Sequence, residues 1–540
     1  MPAPLAGVVL DDLTYTWPDG SPALVGLTAT LGRGRTGLIG ANGVGKSTLL
    51  AVIAGRLRPT GGTVTTLGWV DHLPQNLTLA VDATLADLLG VRAVVDAVRA
   101  IEAGDVSDAR FEVVGDDWDL EHRAVAALAA IGLPSDLDRR VATLSGGETV
   151  LAAITGIRLR QAPVALLDEP TNNLDGDSRQ RLYELVGGWR GALVVVSHDT
   201  ALLELMDATA ELRDGSLTVF GGPYSAYLAA VEQEQRAAQQ ALRTAEQLLR
   251  VERRQRIEAE QRIAHAERQG RKDRLNRTFV PAAINDRRNS AEKSAGARRG
   301  MLDAKVAAAR AEVAEAEQRV RRDERIRVDL PDPAVPARRR LAELTGSDGR
   351  RFVLQGPERV ALTGPNGVGK TTLLEHLGGR APRHGTAGGA TAEAFTGRIG
   401  YLTQRLDGLP DAAGVLEVIE AAAPGVPTGL LRDRLARFLI RGDAVSRPVG
   451  SLSGGERFRV ALAALLLADP PAELLVLDEP TNNLDLTSVQ QLVDALASYR
   501  GCLLVVSHDR GFLQRLDLDA ELVLDAAGRL ARRDLEERVG

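Results

Sequence analysis

The sequence predicts an α/β fold in which two copies of a mainly parallel sheet with helices are joined by an antiparallel α-helical hairpin. Three observations predict it: a long internal repeat, short apolar runs that end on polar residues, and an intervening stretch rich in Ala, Gln, Glu and Arg with coiled-coil spacing.

The repeat is carried by four strings. Gly-Ala-Asn-Gly-Val-Gly-Lys-Ser at 40–47 returns as Gly-Pro-Asn-Gly-Val-Gly-Lys-Thr at 364–371, and Leu-Ser-Gly-Gly-Glu at 144–148 returns at 452–456. Leu-Asp-Glu-Pro-Thr-Asn-Asn-Leu-Asp at 167–175 returns at 477–485, and Val-Val-Ser-His-Asp at 195–199 returns at 505–509. Asp168 to His198 and Asp478 to His508 are both intervals of 30 residues. Lys46 to Ser145 spans 99 positions and Lys370 to Ser453 only 83, so repeat one carries about 16 extra residues, expected around Asp87–Leu133.

Within each repeat the apolar runs Val164–Leu167, Leu193–Val196, Leu474–Leu477 and Leu503–Val506 read as strands buried on both faces of a parallel sheet. Motif residues then lie at the carboxyl ends of strands, where open α/β sheets bind ligands. The expected domains are 1–228, a helical linker 229–328, and 329–540.

The linker reading rests on apolar spacing. Leu302, Val306, Ala309, Val313, Ala316 and Val320 step by 4, 3, 4, 3, 4, and Ala238, Leu242, Ala245 and Leu249 make a matching stripe. A helix of about 40 residues is roughly 60 Å long, long enough to act as a reaching arm. Pro281, with Asn285, Asn289 and Gly296, is expected to interrupt the helices at the tip, and Pro331, Pro333 and Pro336 to close the linker.

At 540 residues the chain is too long for one core. Its formal net charge of -6, with 26% charged residues, excludes a whole-chain basic character, so any nucleic-acid surface has to be local. Met1 to Asp12 holds no basic segment followed by an apolar run, and nowhere do about 18 apolar residues stand together. The expectation is a cytoplasmic protein with no integral membrane segment. The single cysteine, Cys502, fits a reducing compartment and is most simply a buried strand residue.

The glycine-rich runs are built for phosphate. Gly40, Asn42, Gly43 and Gly45, and Gly364, Asn366, Gly367 and Gly369, precede a helix N-terminus whose unsatisfied N–H groups favour anions. Lys46 and Lys370 add charge for the β- and γ-phosphates, Thr48 and Thr372 follow on the same turn, and Ser47 and Thr371 can ligate magnesium. Asp168 and Asp478 end apolar strands and are placed to hold the magnesium shell. Glu169 and Glu479 come next, and on an extended backbone would point to the other side to polarise an attacking water. His198 and His508 end the next strand, where a neutral imidazole can contact the γ-phosphate. Gln75 and Gln404 follow the strand patterns Gly68–Leu73 and Ile399–Leu402 and are candidates to sense magnesium and nucleotide.

In this order the motifs resemble the ATP-binding cassette superfamily, over both repeats. The resemblance implies ATP and Mg2+ as cofactors and a head-to-tail pair of cassettes. Ser145 and Gly147 would then complete the site built on Lys370, and Ser453 and Gly455 the site built on Lys46. Fused cassettes without a membrane segment, Asp-Glu-Pro-Thr-Asn in both copies, a charged helical linker and the exit Gly221-Gly-Pro-Tyr-Ser-Ala-Tyr227 resemble the ABC-F group. That resemblance implies an ATPase acting on the ribosome, its linker reaching exit-site rRNA and peptidyl-site tRNA; some members protect ribosomes from antibiotics. A monomer is expected, because both halves of the ATP sandwich lie on one polypeptide.

The residues themselves carry a local hint of RNA. Arg271, Lys272, Arg274, Arg277, Arg287, Arg288, Lys293, Arg298 and Arg299 oppose Asp273, Asp286 and Glu292, giving about +6 at the hairpin tip. The same charges also suit a solvated helix face. Phe279 either stacks on a base or packs the turn.

Three features depart from the group's commonest pattern, and the last two point to unequal sites. Asn173 and Asn483 stand where many ABC-F proteins have His, which implies a differently tuned neighbourhood in both repeats. Thr149-Val150-Leu151 follows the first signature, whereas Arg457-Phe458-Arg459-Val460 follows the second. Trp17, or Tyr15, is placed to stack on adenine in the Lys46 site; before Lys370 only Phe352 is near, and it is too close, so weaker adenine specificity is expected there. Two other classes compete: the energy subunit of a membrane transporter, which would need separate membrane partners, and a DNA-repair ATPase, which a single cysteine argues against.

Overall fold

The computed structural model describes residues 6–75, 82–172, 174–275, 281–320, 330–379, 388–403, 408–482 and 484–534, without the side chains of 6, 266, 267, 270–275, 281–292, 295 and 534. Asn173, Arg277, Phe279, Gln404 and Asn483, and the side chains of Arg271, Lys272, Arg274, Arg287 and Arg288, therefore lie outside the described residues. By contact density, Met1–Ser225 with Arg325–Gly540 makes one compact unit and Ala226–Glu324 a second.

In repeat one a six-stranded sheet runs, edge to edge, Val70–Leu73, Val164–Asp168, Ala192–Val196, Gly34–Ile39, Ala208–Arg213, Ser216–Gly221. The first five are parallel and the last is antiparallel. Repeat two follows the same order with Ile399–Leu402, Leu474–Asp478, Cys502–Val506, Arg359–Thr363, Ala520–Leu524 and Leu530–Asp534. Each repeat adds a three-stranded antiparallel sheet, centred on Ala6–Thr16 and on Arg340–Thr345.

The strands alternate between two cores, as a sheet covered on both faces requires. Leu474, Val476, Cys502, Leu504 and Val506 pack toward Leu373, Leu374 and Leu377 of the helix after the second glycine run. Leu475, Leu477, Leu503 and Val505 face the opposite way, onto Leu462, Phe458, Leu492 and Leu496. Cys502 is fully buried, and burial pushes its thiol up to about 12. The strand expectation for that residue is met.

The surplus of repeat one is helical. Leu85–Leu89, Arg92–Glu102, Asp108–Val114 and Leu120–Ala130 occupy the interval where repeat two has Val415–Ala422 and Thr428–Arg437.

The second unit contains helix Tyr224–Leu275, which begins just outside it, and helix Pro281–Arg319. Leu302, Val306, Ala309 and Ala316 are buried and Val313, Ala238, Leu242, Ala245 and Leu249 half-buried, so the spaced apolar stripe is the seam. Arg256 pairs with Asp303 across it at 2.7 Å. One expectation is corrected: Asn285, Asn289 and Gly296 do not interrupt the helix but lie inside Pro281–Arg319. Each costs at most about 1 kcal/mol of helix propensity, which a long packed helix absorbs, whereas Pro281 takes the first helical position, where its missing N–H is harmless.

Candidate functional site

Each glycine-rich turn carries the chain from a sheet strand into a helix, Gly34–Ile39 into Lys46–Ile53 and Arg359–Thr363 into Lys370–Leu377. The turn is possible only with glycine at its start. Gly40 has φ +153° and a Cβ there would lie 2.4 Å from the Leu212 carbonyl oxygen; at Gly364, φ +148°, it would lie 2.2 Å from that of Leu524. Gly45 and Gly369 then enter the helices in left-handed conformation, and no side chain caps either N-terminus. The first-turn amides are left to an anion.

Lys46 and Lys370 are buried, and burial lowers both ammonium pKa values. Each curls back over its own turn: Lys46 Nζ donates to the carbonyls of Gly40 at 2.7 Å and Ala41 at 3.1 Å, Lys370 Nζ to those of Gly364 at 2.8 Å and Pro365 at 2.9 Å. Phosphate oxygens at this turn would meet a preformed positive cradle.

Asp168 and Asp478 are the last residues of their strands and are buried; burial raises both carboxyls, while hydrogen bonds with Ser47 and Thr371 respectively act to lower them. Asp168 Oδ1 and Asp478 Oδ1 have no hydrogen-bond partner among the described residues. A buried carboxylate oxygen left open beside a hydroxyl suits a hard divalent cation.

Glu169 and Glu479 correct the sequence expectation. Neither continues an extended strand: their φ values are +50° and +45°, a left-handed conformation rare outside glycine. The turn is held by a backbone bond from Glu169 N to the Val196 carbonyl at 2.9 Å, and from Glu479 N to that of Val506 at 2.8 Å. It aims each carboxylate at the following histidine. Glu169 Oε1 is 3.0 Å from His198 Nε2, and Glu479 Oε1 is 3.4 Å from His508 Nε2. Burial pushes Glu169 up to about 8 and Glu479 up to about 7, against the nearby lysines. Burial and the same lysines push His198 down to about 3 and His508 down to about 4. A carboxylate poised near neutrality beside a neutral imidazole is chemically fit to take a proton from water.

Around Lys46 these groups line a cavity of about 490 Å³, with Trp17, Asn42, Gly43, Gly45, Ser47, Thr48, Gln75, Asp168, Glu169 and His198 on its repeat-one side. Repeat two contributes Thr481, Asn482, Leu484, Val489 and Asp509. Ser453 and Gly455 are not among the lining residues. Ser145 and Ser453 each cap their own helix, accepting the N–H of Glu148 and Glu456 at 3.3 Å, with Gly147 and Gly455 in the first turns. Thr372 is buried on the second glycine-turn helix, beyond Asn366, Gly367 and Thr371. Of the two aromatic candidates, Trp17 is 41% exposed on the cavity and Tyr15 is buried edge-on beneath it, ring centroids 5.1 Å apart. Phe352 packs on the repeat-two core. In the helical unit Lys293, Arg298 and Arg299 are exposed.

Sequence reasoning did not single out the residues that tie the repeats together. Asn42 N donates to Asp485 Oδ2 at 2.9 Å, and Asp175 is hydrogen-bonded in the reciprocal way by the Asn366 backbone. Both carboxyls are held below their ordinary value: burial opposes this, but the amides of Ser178 and Asn366, and of Asn42 and Ser488, outweigh it. The signal was present, since Asp175 and Asp485 close the nine-residue string common to both repeats.

Among known proteins, a family model described as ABC transporter matches residues 24–172 and 348–482. The chain is 35% identical over 512 residues to the tylosin resistance ATP-binding protein TlrC of Streptomyces fradiae, covering 89% of this chain and 90% of that protein. It is 30% identical over 548 residues to the energy-dependent translational throttle protein EttA of Mycobacterium tuberculosis, covering 94% and 87%. Among solved structures it resembles an RNase-L inhibitor, with a TM-score of 0.54 at 19% identity over 97% of this chain and 90% of that one, a likeness of fold.

Proposed function

Because the chain belongs to the ABC-F group of the ATP-binding cassette family, whose members are ATPases, we propose that it binds two ATP molecules between its repeats and uses their hydrolysis to close and reopen on the ribosome. The observation that carries this reading is the reciprocal tie between the glycine turn of one repeat and the aspartate of the other, Asn42 with Asp485 and Asn366 with Asp175. A nucleotide seated on either turn then touches a segment that answers to both repeats, and binding energy becomes closure.

In each site the turn amides and Lys46 or Lys370 hold the phosphates. Ser47 with Asp168, and Thr371 with Asp478, would hold Mg2+, which supplies charge neutralisation on the phosphates when bound. Among the described residues no group of three His, Cys, Asp or Glu side chains forms a metal cage by itself, so such an ion would depend on the nucleotide. Glu169 and Glu479 orient and deprotonate water, with His198 and His508 as neutral partners. Ser145, Gly147, Ser453 and Gly455 reach the nucleotide of the opposite repeat as closure proceeds, and Gln75 and Gln404 follow the metal.

Ribosome action is supported by the relative named a translational throttle and by the exposed cations Lys293, Arg298 and Arg299 on the helical unit. RNA of the exit site and the peptidyl-site tRNA are the partners proposed, with the remaining basic residues of 271–288 sharing the contact. Resistance to peptidyl-transferase antibiotics is the favoured role, since the relative named for tylosin resistance matches nearly end to end. The protein is proposed to act as a cytoplasmic monomer; among the described residues no helix is long and apolar enough to cross a membrane.

The test is co-sedimentation of Glu169→Gln/Glu479→Gln with 70S ribosomes in ATP. Strong pelleting that is lost in Lys293→Glu/Arg298→Glu/Arg299→Glu supports the reading; pelleting no better than that of nucleotide-free protein overturns it. Raised inhibitory concentrations for macrolides, lincosamides, streptogramins or pleuromutilins in a sensitive host would separate resistance from a general translation role.

A further inference from the structure

The repeats differ in the helix that follows the shared aspartate. Four residues beyond the shared aspartate, repeat one has Arg179 and repeat two has Val489; eight beyond, repeat one has Tyr183 and repeat two Val493. Arg179 reaches across the repeat boundary: its Nη1 donates to the carbonyl of His508 at 3.2 Å. The same nitrogen lies 3.5 Å from Asp199 Oδ2, and Nε donates to the Leu174 carbonyl at 3.3 Å, which fixes the stem. The guanidinium is well covered, its side chain 11% exposed. Nearby the two turns that follow the histidines abut, since a Cβ added at Gly511 would meet Thr200 Oγ1 at 2.8 Å.

From this geometry we infer that Arg179, although it also borders the Lys46 cavity, is a positioning residue chiefly for the Lys370 site, holding the His508 turn from repeat one and so making the two ATP sites unequal. Val489, its counterpart, carries no donor and cannot hold the carbonyl of His198 in the same way. On its own side Arg179 is less needed. Asp199 already accepts the Tyr183 hydroxyl at 2.6 Å and the amides of Ala201 and Leu202 at 3.0 and 3.1 Å, so that turn stays anchored without it. The cation also faces the reacting groups of the Lys370 site, where it helps keep His508 neutral and Glu479 ionised.

The inference rests on the reading of the two glycine turns as ATP sites, and the two can fail separately. With the full-length protein, Glu169→Gln leaves the Lys370 site to turn over and Glu479→Gln leaves the Lys46 site. Arg179→Val, which copies the residue repeat two uses, is expected to lower kcat about tenfold in the Glu169→Gln background, the order that one hydrogen bond from a charged donor contributes. KM for ATP should stay within about twofold, and in the Glu479→Gln background, where Arg179 only borders the cavity, the loss of kcat should be several-fold smaller. Arg179→Lys, which keeps the charge, should recover part of the loss, and it serves as the working variant should valine prove too destabilising. Equal losses in the two backgrounds, or none in the first, overturn the assignment. If Lys46→Ala/Lys370→Ala still hydrolyses ATP at the wild-type rate, the two-site reading itself falls, whatever Arg179 does.

Discussion

Asp485 accepts the backbone N–H of Asn42 at 2.9 Å across 443 residues of chain, and with its other oxygen accepts the N–H of Ser488 at 2.7 Å. One side chain thus caps a helix of repeat two and steadies the glycine turn of repeat one. Asp485→Ala should cost about 1 kcal/mol for the cap alone, seen as a lower thermal midpoint. It should also slow the Lys46 site more than the Lys370 site, measured in the Glu479→Gln and Glu169→Gln backgrounds. Asp485→Asn, which can still cap but carries no charge, should keep the midpoint and lose part of the rate. A pure stability loss with equal rates would show that the contact is packing only.

The buried glutamates make stability depend on pH in a definite direction. Glu169 titrates near 8 and Glu479 near 7 in the folded protein, against about 4.5 for an unburied Glu. Between those limits the folded chain binds more protons than the unfolded one, so stability falls as pH rises, and the full cost is present above about 8. Glu169→Gln/Glu479→Gln removes the buried charges. Its midpoint without nucleotide should match wild type near pH 5 and exceed it increasingly toward pH 8.5; a constant offset across that range contradicts the burial argument.

The same values set the acid limb of hydrolysis. The groups facing Glu169 are Lys46, Asp168, His198 and Asp199, and those facing Glu479 are Lys370, Asp478, His508 and Arg179. Both histidines stay neutral to below pH 5, leaving the glutamates to lose the proton that matters. Because kcat/KM reports the free enzyme, its acid limb should fall near pH 8 for Glu479→Gln, which runs on Glu169, and near pH 7 for Glu169→Gln. Identical limbs would mean that another group limits both.

What could be read from the sequence was whatever the repeat wrote twice. The glycine turns and the strand-ending Asp168 and Asp478 lie where the apolar runs give way to polar residues, because a buried strand cannot continue through them, whereas His198 and His508, expected to end the next strand, lie two residues beyond Val196 and Val506. The left-handed turn at Glu169 and Glu479 was not legible: alternation along a strand holds only while the strand continues, and here it ends one residue earlier. The Asn42–Asp485 tie was legible only by half: the repeat marks Asp485 as shared, but its partner 443 residues away is fixed by how whole sheets pack. Asn285, Asn289 and Gly296 misled for the opposite reason: helix-weakening residues count for little in a helix of 39 residues with a packed seam.

Trp17 offers the last test of inequality. Its ring lies exposed on the Lys46 cavity, braced edge-on by buried Tyr15, whereas Phe352 packs half-buried against the core of repeat two. Stacking a base on an aromatic face contributes about 1–3 kcal/mol and tolerates any base, so Trp17 is better suited to affinity than to choosing adenine over guanine. Trp17→Ala should raise KM about tenfold for ATP and GTP alike in the Glu479→Gln background. Trp17→Phe should lose less, and neither change should move KM in the Glu169→Gln background. A rise for ATP only would assign Trp17 a part in base discrimination, and equal rises in both backgrounds would remove it from the Lys46 site.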